Sequence, residues 1–156
     1  MALEIPSILK SVRAAGGAYR VLTAWRRQAT GDGRAVVDEI ENNLRYLDLV
    51  ADGDAALGDV VERLDTREFD RLLRAGFDFD RLRRARIPAW DSLSGSDLAA
   101  WQGKSTESLI RAIYRMIKDI RVKYPYAADS PNYRWMVRVH NVRKRCWLLF
   151  RHLAGQ

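Results

Sequence analysis

The sequence predicts an all-α fold, and three observations carry that prediction. Apolar residues recur at steps of three and four through most of the chain, no run alternates as a strand would, and the interruptions fall at Gly, Pro, Asn and Asp clusters. A length of 156 residues matches one domain. The expected architecture is therefore a single compact helical bundle over residues 1–156, with five or six helices and a long amphipathic C-terminal helix.

The first helix is expected along Ile5, Ile8, Val12, Ala15, Tyr19 and Leu22, with Pro6 near its start and an interruption at Gly16-Gly17. A loop is expected at Thr30-Gly31-Asp32-Gly33. Val36, Val37, Ile40, Leu44 and Leu47 then mark a second helix, with Asp38, Glu39 and Glu41 toward its positive end. It should close near Ala51-Asp52-Gly53-Asp54. Asp52 and Asp54 have the first spacing of a calcium loop, but Ala56 and Leu57 occupy the next ligand and the glycine positions, so a polar turn is expected.

Leu57, Val60, Val61 and Leu64 form a short third helix. Next, Phe69-Asp70-Arg71-Leu72-Leu73-Arg74-Ala75 returns as Phe79-Asp80-Arg81-Leu82-Arg83-Arg84-Ala85. One return at this spacing is too short for a solenoid, so two successive short helices are expected within 66–86. Asp65 or Thr66 would cap the first and Asp78 the second, Gly76 would end the first, and Pro88 would stop the second. Leu73 would be buried and Arg83 exposed. Residues 87–104 are loop-rich, and their Trp90 and Trp101 suggest that the segment packs down.

Ser105 should cap a helix from Thr106 to Tyr124, striped by Leu109, Ile113, Met116 or Ile117, and Ile120, and stopped by Pro125. The last helix is expected over 132–153. Its stripe of Trp135, Val139, Val142, Cys146, Leu149 and Leu153 is the clearest in the chain and places it at the centre of the bundle.

Composition narrows the function. Hydrophobic residues at 47% and charged residues at 30% describe a folded chain rather than a disordered one. No apolar run reaches the ~18 residues of a membrane span. The N-terminus MALEIPSILK lacks a basic region followed by a long apolar run, and the single Cys146 cannot form an internal disulfide, so a cytoplasmic location is expected. Two histidines and one cysteine argue against a structural zinc, and no cofactor motif stands out. Gly103-Lys104-Ser105 ends like a phosphate loop, but Leu98 stands where its first glycine is needed and no strand precedes it.

The net charge is +7. Residues 130–156 contain Arg134, Arg138, Arg143, Lys144, Arg145 and Arg151 with no acid, leaving 21 cations against 20 acids elsewhere. At ~100° per residue, Arg134, Arg138, Asn141, Arg145 and His152 share a sector, and His140, Lys144, Trp147 and Arg151 share another beside the apolar stripe. Such a row can track phosphates, each cation displacing condensed counterions. The leading expectation is a non-catalytic module that binds an anionic partner, RNA or DNA ahead of an acidic protein, through Arg134, Arg138, Asn141, Lys144, Arg145, Arg151 and His152. The basic run Arg81, Arg83, Arg84 and Arg86 is interleaved with nearby acids, which favours intrahelical pairing.

Two alternatives accompany it. The first is a protein-interaction module, subunit or homodimer that docks through Trp90, Trp101 and Trp147, since interfaces favour such rings. The second rests on Arg145 and His152. Their spacing is similar to the Arg–(four to six residues)–His motif of HEPN ribonucleases, all-α domains that act as dimers. The resemblance covers eight residues, and Cys146 stands where that family commonly has a polar residue. It implies a metal-independent endoribonuclease in which Arg145 holds the phosphate and His152 moves a proton during attack by the RNA 2′-hydroxyl.

Overall fold

In a computed structural model that describes residues 17–155, with side chains from residue 22 onward, every regular element is helical. The helices are α1 (Gly17–Gln28), α2 (Gly31–Ala51), the single turn α3 (Leu57–Val60), α4 (Arg67–Arg74), α5 (Thr106–Ala127) and α6 (Trp135–Leu153). Short 3-10 turns join them. The expected stripe from Ile5 to Tyr19 and its interruption at Gly16-Gly17 lie outside the described side chains. None of the described helices is long and apolar enough to cross a membrane.

Helix α6 packs against α1, α2 and α5. Its stripe of Val139, Val142, Cys146, Leu149 and Leu153 meets Leu22, the α2 residues Val37, Ile40, Leu44 and Leu47, and the α5 residues Leu109, Ile113 and Ile117 in one buried core. Ten of its nineteen residues are buried. A helix enclosed on several sides buries positions beyond its apolar stripe, and Trp147, Arg143 and His152 are buried for that reason.

Thr30-Gly31-Asp32-Gly33 is not an extended loop. Gly31, at φ +59°, is already the first residue of α2, and the connection shrinks to Ala29-Thr30. At the other end Gly53 adopts φ +80° and the N–H groups of Asp52, Gly53 and Asp54 return to the carbonyls of Asp48, Val50 and Leu49. The stretch is the polar turn expected from its sequence.

The two copies of the repeated segment diverge. The first forms α4, which closes as Gly76 N–H bonds Leu73 O and Phe77 N–H bonds Leu72 O around Gly76 at φ +71°. The second forms only the 3-10 turn Phe79–Leu82, not a second helix. Its residues are held by α5 instead: Asp80 Oδ1 accepts Glu107 N–H at 2.9 Å, and Arg83 O accepts the Thr106 hydroxyl at 2.7 Å. Those contacts leave Arg83 extended at φ −158°. Leu73 is 36% exposed, whereas Arg83 is half-buried beside Gly155, reversing the expected exposures.

Residues 87–104 form a closed loop. Gly103 N–H bonds Ile87 O at 2.8 Å and Ile87 N–H bonds Lys104 O at 3.0 Å, while Ile87, Leu93 and Leu98 enter the core. Ser105 accepts from Ser108 N–H and caps α5 as its sequence predicts. Pro125 does not end that helix, which continues to Ala127. The proline is exposed in the final turn, where its missing N–H removes one bond close to the helix end. The start of α6 is also later than expected. Pro131–Tyr133 makes a 3-10 turn, and Arg134 reverses the chain in the left-handed region at φ 45°, ψ 60°.

Candidate nucleic-acid interface

The predicted basic row divides into three parts with different surroundings. At its N-terminal end, where α5 turns into α6, Tyr133 stacks on Trp135 with ring centres 5.1 Å apart and planes 6° from parallel. Tyr124 meets Trp135 edge-on at 5.2 Å. The indole N–H of Trp135 donates to Ala127 O at 2.9 Å and fixes the ring across the turn. Arg138 donates through Nε to Tyr133 O at 2.8 Å, and its guanidinium carbon lies 5.2 Å from the Tyr133 ring centre and 5.7 Å from that of Trp135.

Arg134 is exposed beside this cluster. Among the described residues it is the one non-glycine with positive φ. That conformation costs roughly 1–2 kcal/mol for an L side chain. Neither Arg134 nor Arg138 makes an ion pair among the described residues. Val122 and Tyr126, on the side of α5 away from Tyr124, are 65% and 92% exposed.

In the middle of the row the charge is largely compensated. Lys144 Nζ lies 2.9 Å from both oxygens of Asp97, and Arg145 Nη2 lies 3.8 Å from the same carboxylate. Arg145 also donates to Asn141 O at 3.0 Å. Burial lowers its pKa, an effect opposed by Asp97. Arg143 turns inward to Asp48 at 2.7 Å and donates to His140 Nδ1 at 3.2 Å, which identifies that nitrogen as the unprotonated one. The His140 pKa is lowered by burial, then by Arg143 and Lys144.

At the far end, Arg151 donates to Ser92 Oγ at 2.9 Å and lies 4.5 Å over the Trp90 ring. Lys104 lies 4.6 Å over Trp101 in the same way. Trp90 and Trp101 are half-buried, so each keeps some surface. Trp147, expected as a third docking ring, is only 8% exposed and meets Phe150 edge-on at 6.2 Å, which removes it from any docking surface.

His152 is 1% exposed. Its Nε2 is 2.9 Å from the Thr106 hydroxyl, whose own proton is committed to Arg83 O. The histidine must therefore donate through Nε2, leaving Nδ1 as a buried acceptor without a partner. Burial, then the charge of Arg83, lowers its pKa to about 4. Arg145 and His152 thus engage different partners. An enclosed neutral imidazole has no route to an RNA phosphate and adds no positive charge to the basic row.

Two other polar clusters have structural roles. Asp78, Asp80 and Glu107 place carboxylate oxygens within 4.8 Å of one another and could hold a metal ion. All three are already engaged within the protein. Asp78 accepts Asp80 N–H and pairs with Arg84, Asp80 caps α5, and Glu107 pairs with Arg111. A groove of about 750 Å³ beside α2 is lined by Glu39, Asn43 and Asp65. Asn43 bonds both the N–H and the carbonyl of Asp65, and Glu39 accepts from the first turn of α4.

Helical spacing places Arg134 and Arg138 in one sector but does not show the rings beside them, nor Asp97 opposite Lys144 and Arg145. The YPYAADSPNYRW stretch held the missing signal, three tyrosines and a tryptophan around a turn. No family model, curated protein or solved structure matches the chain.

Proposed function

We propose that the protein is a non-catalytic binding module that engages nucleic acid through the corner between α5 and α6. Arg134 and Arg138 supply the phosphate contacts, and Arg151 extends the surface at the other end of α6. The supporting observation is that Arg138 lies against a stacked Tyr133–Trp135 pair with the exposed Arg134 next to it in the chain, neither cation having an acid partner among the described residues. An anionic ligand meets attraction there without displacing an internal salt bridge. Lys144 and Arg145 contribute less because they share Asp97, whose single charge offsets one of their two.

Fluorescence anisotropy with labelled RNA and DNA at low salt tests this reading. The double variant Arg134→Ala/Arg138→Ala should weaken binding about tenfold or more and flatten the dependence of log affinity on log salt by roughly 1.4–1.8. Undetectable binding by the wild-type protein, or unchanged affinity in the double variant, would refute it. The docking alternative has less support, since Trp90 and Trp101 are half-buried and already carry Arg151 and Lys104.

A further inference from the structure

Resting on the nucleic-acid reading above, we infer that the ligand of the α5–α6 corner is a single strand with unpaired bases, held by stacking as well as by phosphate contacts. The reason is a mismatch between the corner and a duplex. A recognition helix presents several side chains to a groove, but α6 has ten buried residues among nineteen and opens to solvent mainly at its first turn. Duplex binding that relies on counterion release uses several phosphate contacts, typically about 6–10. On α5 and α6 most other cations face a carboxylate: Arg111 with Glu107, Lys118 with Asp70, Lys123 with Asp119, Arg143 with Asp48, and Lys144 and Arg145 with the single Asp97, while Arg115, Arg121 and Arg151 form no ion pair among the described residues.

The corner instead offers rings. Tyr133 and Trp135 are half-buried and already parallel, and Tyr126 is almost fully exposed on the neighbouring helix end. A duplex hides the faces of its bases in its own stack, so exposed aromatic rings gain little from it. A single strand presents those faces and accepts stacking with little regard to sequence. Arg138, lying against both rings, places a positive charge next to the base-stacking position, where the strand's phosphates must pass.

Three labelled probes of equal length, about 12 nucleotides, separate the possibilities: an oligothymidine strand, an abasic strand with the same phosphates, and a duplex. The oligothymidine should bind about tenfold more tightly than either of the others. Tyr133→Leu and Tyr126→Leu should each weaken it about fivefold or more while leaving the abasic strand unaffected. Tyr126 is 92% exposed, so its replacement tests stacking even where a change at Tyr133 disturbs the turn. Equal affinity for the abasic strand, tighter binding of the duplex, or indifference to both tyrosine variants overturns the single-strand inference while leaving cation-mediated binding intact. Failure to bind any probe overturns both.

Discussion

Tyr114 on α5 donates its hydroxyl proton to Glu39 Oε1 on α2 at 2.7 Å, and the same carboxylate accepts Glu68 N–H at 2.8 Å and Phe69 N–H at 3.2 Å. A side chain of one helix thus caps the N-terminus of another, because Thr66 at the cap position makes no such bond. Phe69 stacks on Tyr114 at 4.1 Å, and burial followed by the Glu39 charge raises the tyrosine pKa. Glu39→Ala leaves three donors without their acceptor and should cost about 3 kcal/mol in urea unfolding, with an unchanged m-value. Tyr114→Phe removes a single bond to a charged acceptor and should cost about 1.5–2 kcal/mol. A loss below about 0.5 kcal/mol for Glu39→Ala would show that water replaces the carboxylate.

The buried His152 makes stability depend on pH. Its folded pKa is about 4, against 6.5 for an ordinary histidine. Above pH 6.5 both folded and unfolded forms are neutral and its contribution is fully present. As pH falls toward 4 the unfolded chain takes up the proton first, and up to about 3 kcal/mol is lost. His152→Gln retains an N–H donor for Thr106 without the titration. Its stability should fall less steeply over this interval, with the slope from His140 and the carboxylates remaining. Parallel curves for wild type and variant would exclude His152 as the source.

Arg134 occupies a backbone region that favours glycine. Arg134→Gly should raise stability by about 1 kcal/mol or leave it unchanged, while weakening nucleic-acid binding. Arg134→Ala should weaken binding similarly without the gain, because alanine retains the strain. Thermal unfolding and anisotropy on the two variants distinguish backbone from charge. A Tm several degrees lower for Arg134→Gly would mean that the arginine side chain holds the turn.

Cys146 is buried in the core, and its thiol pKa is pushed up by burial and then by Asp48. Thiol-disulfide reagents should therefore modify the native protein about a thousandfold more slowly than the urea-unfolded chain. Rapid modification under native conditions would place the core packing around α6 in doubt.

The fold was legible where local pattern decides it. Val36 to Leu47 and Val139 to Leu153 carry their helical period in the residues themselves, and both stripes are buried. The site was legible only in part. Whether a cation faces water depends on acids far along the chain: Asp97 is 47 residues from Lys144, and Asp48 is 95 from Arg143. Helical spacing contains no such information. The same limit explains His152 and Trp147, which fall outside the apolar stripe but are enclosed by neighbouring helices. The reversal at Leu73 and Arg83 has a tertiary cause too, since Thr106 takes the Arg83 carbonyl and Gly155 lies beside its guanidinium.

The position of α6 in the chain has a consequence for synthesis. It follows α1, α2 and α5, yet packs against all three. A nascent chain emerging only as far as Ser130 would expose the apolar faces of α2 and α5 that α6 covers. The core is therefore completed late, through contacts between distant parts of the chain.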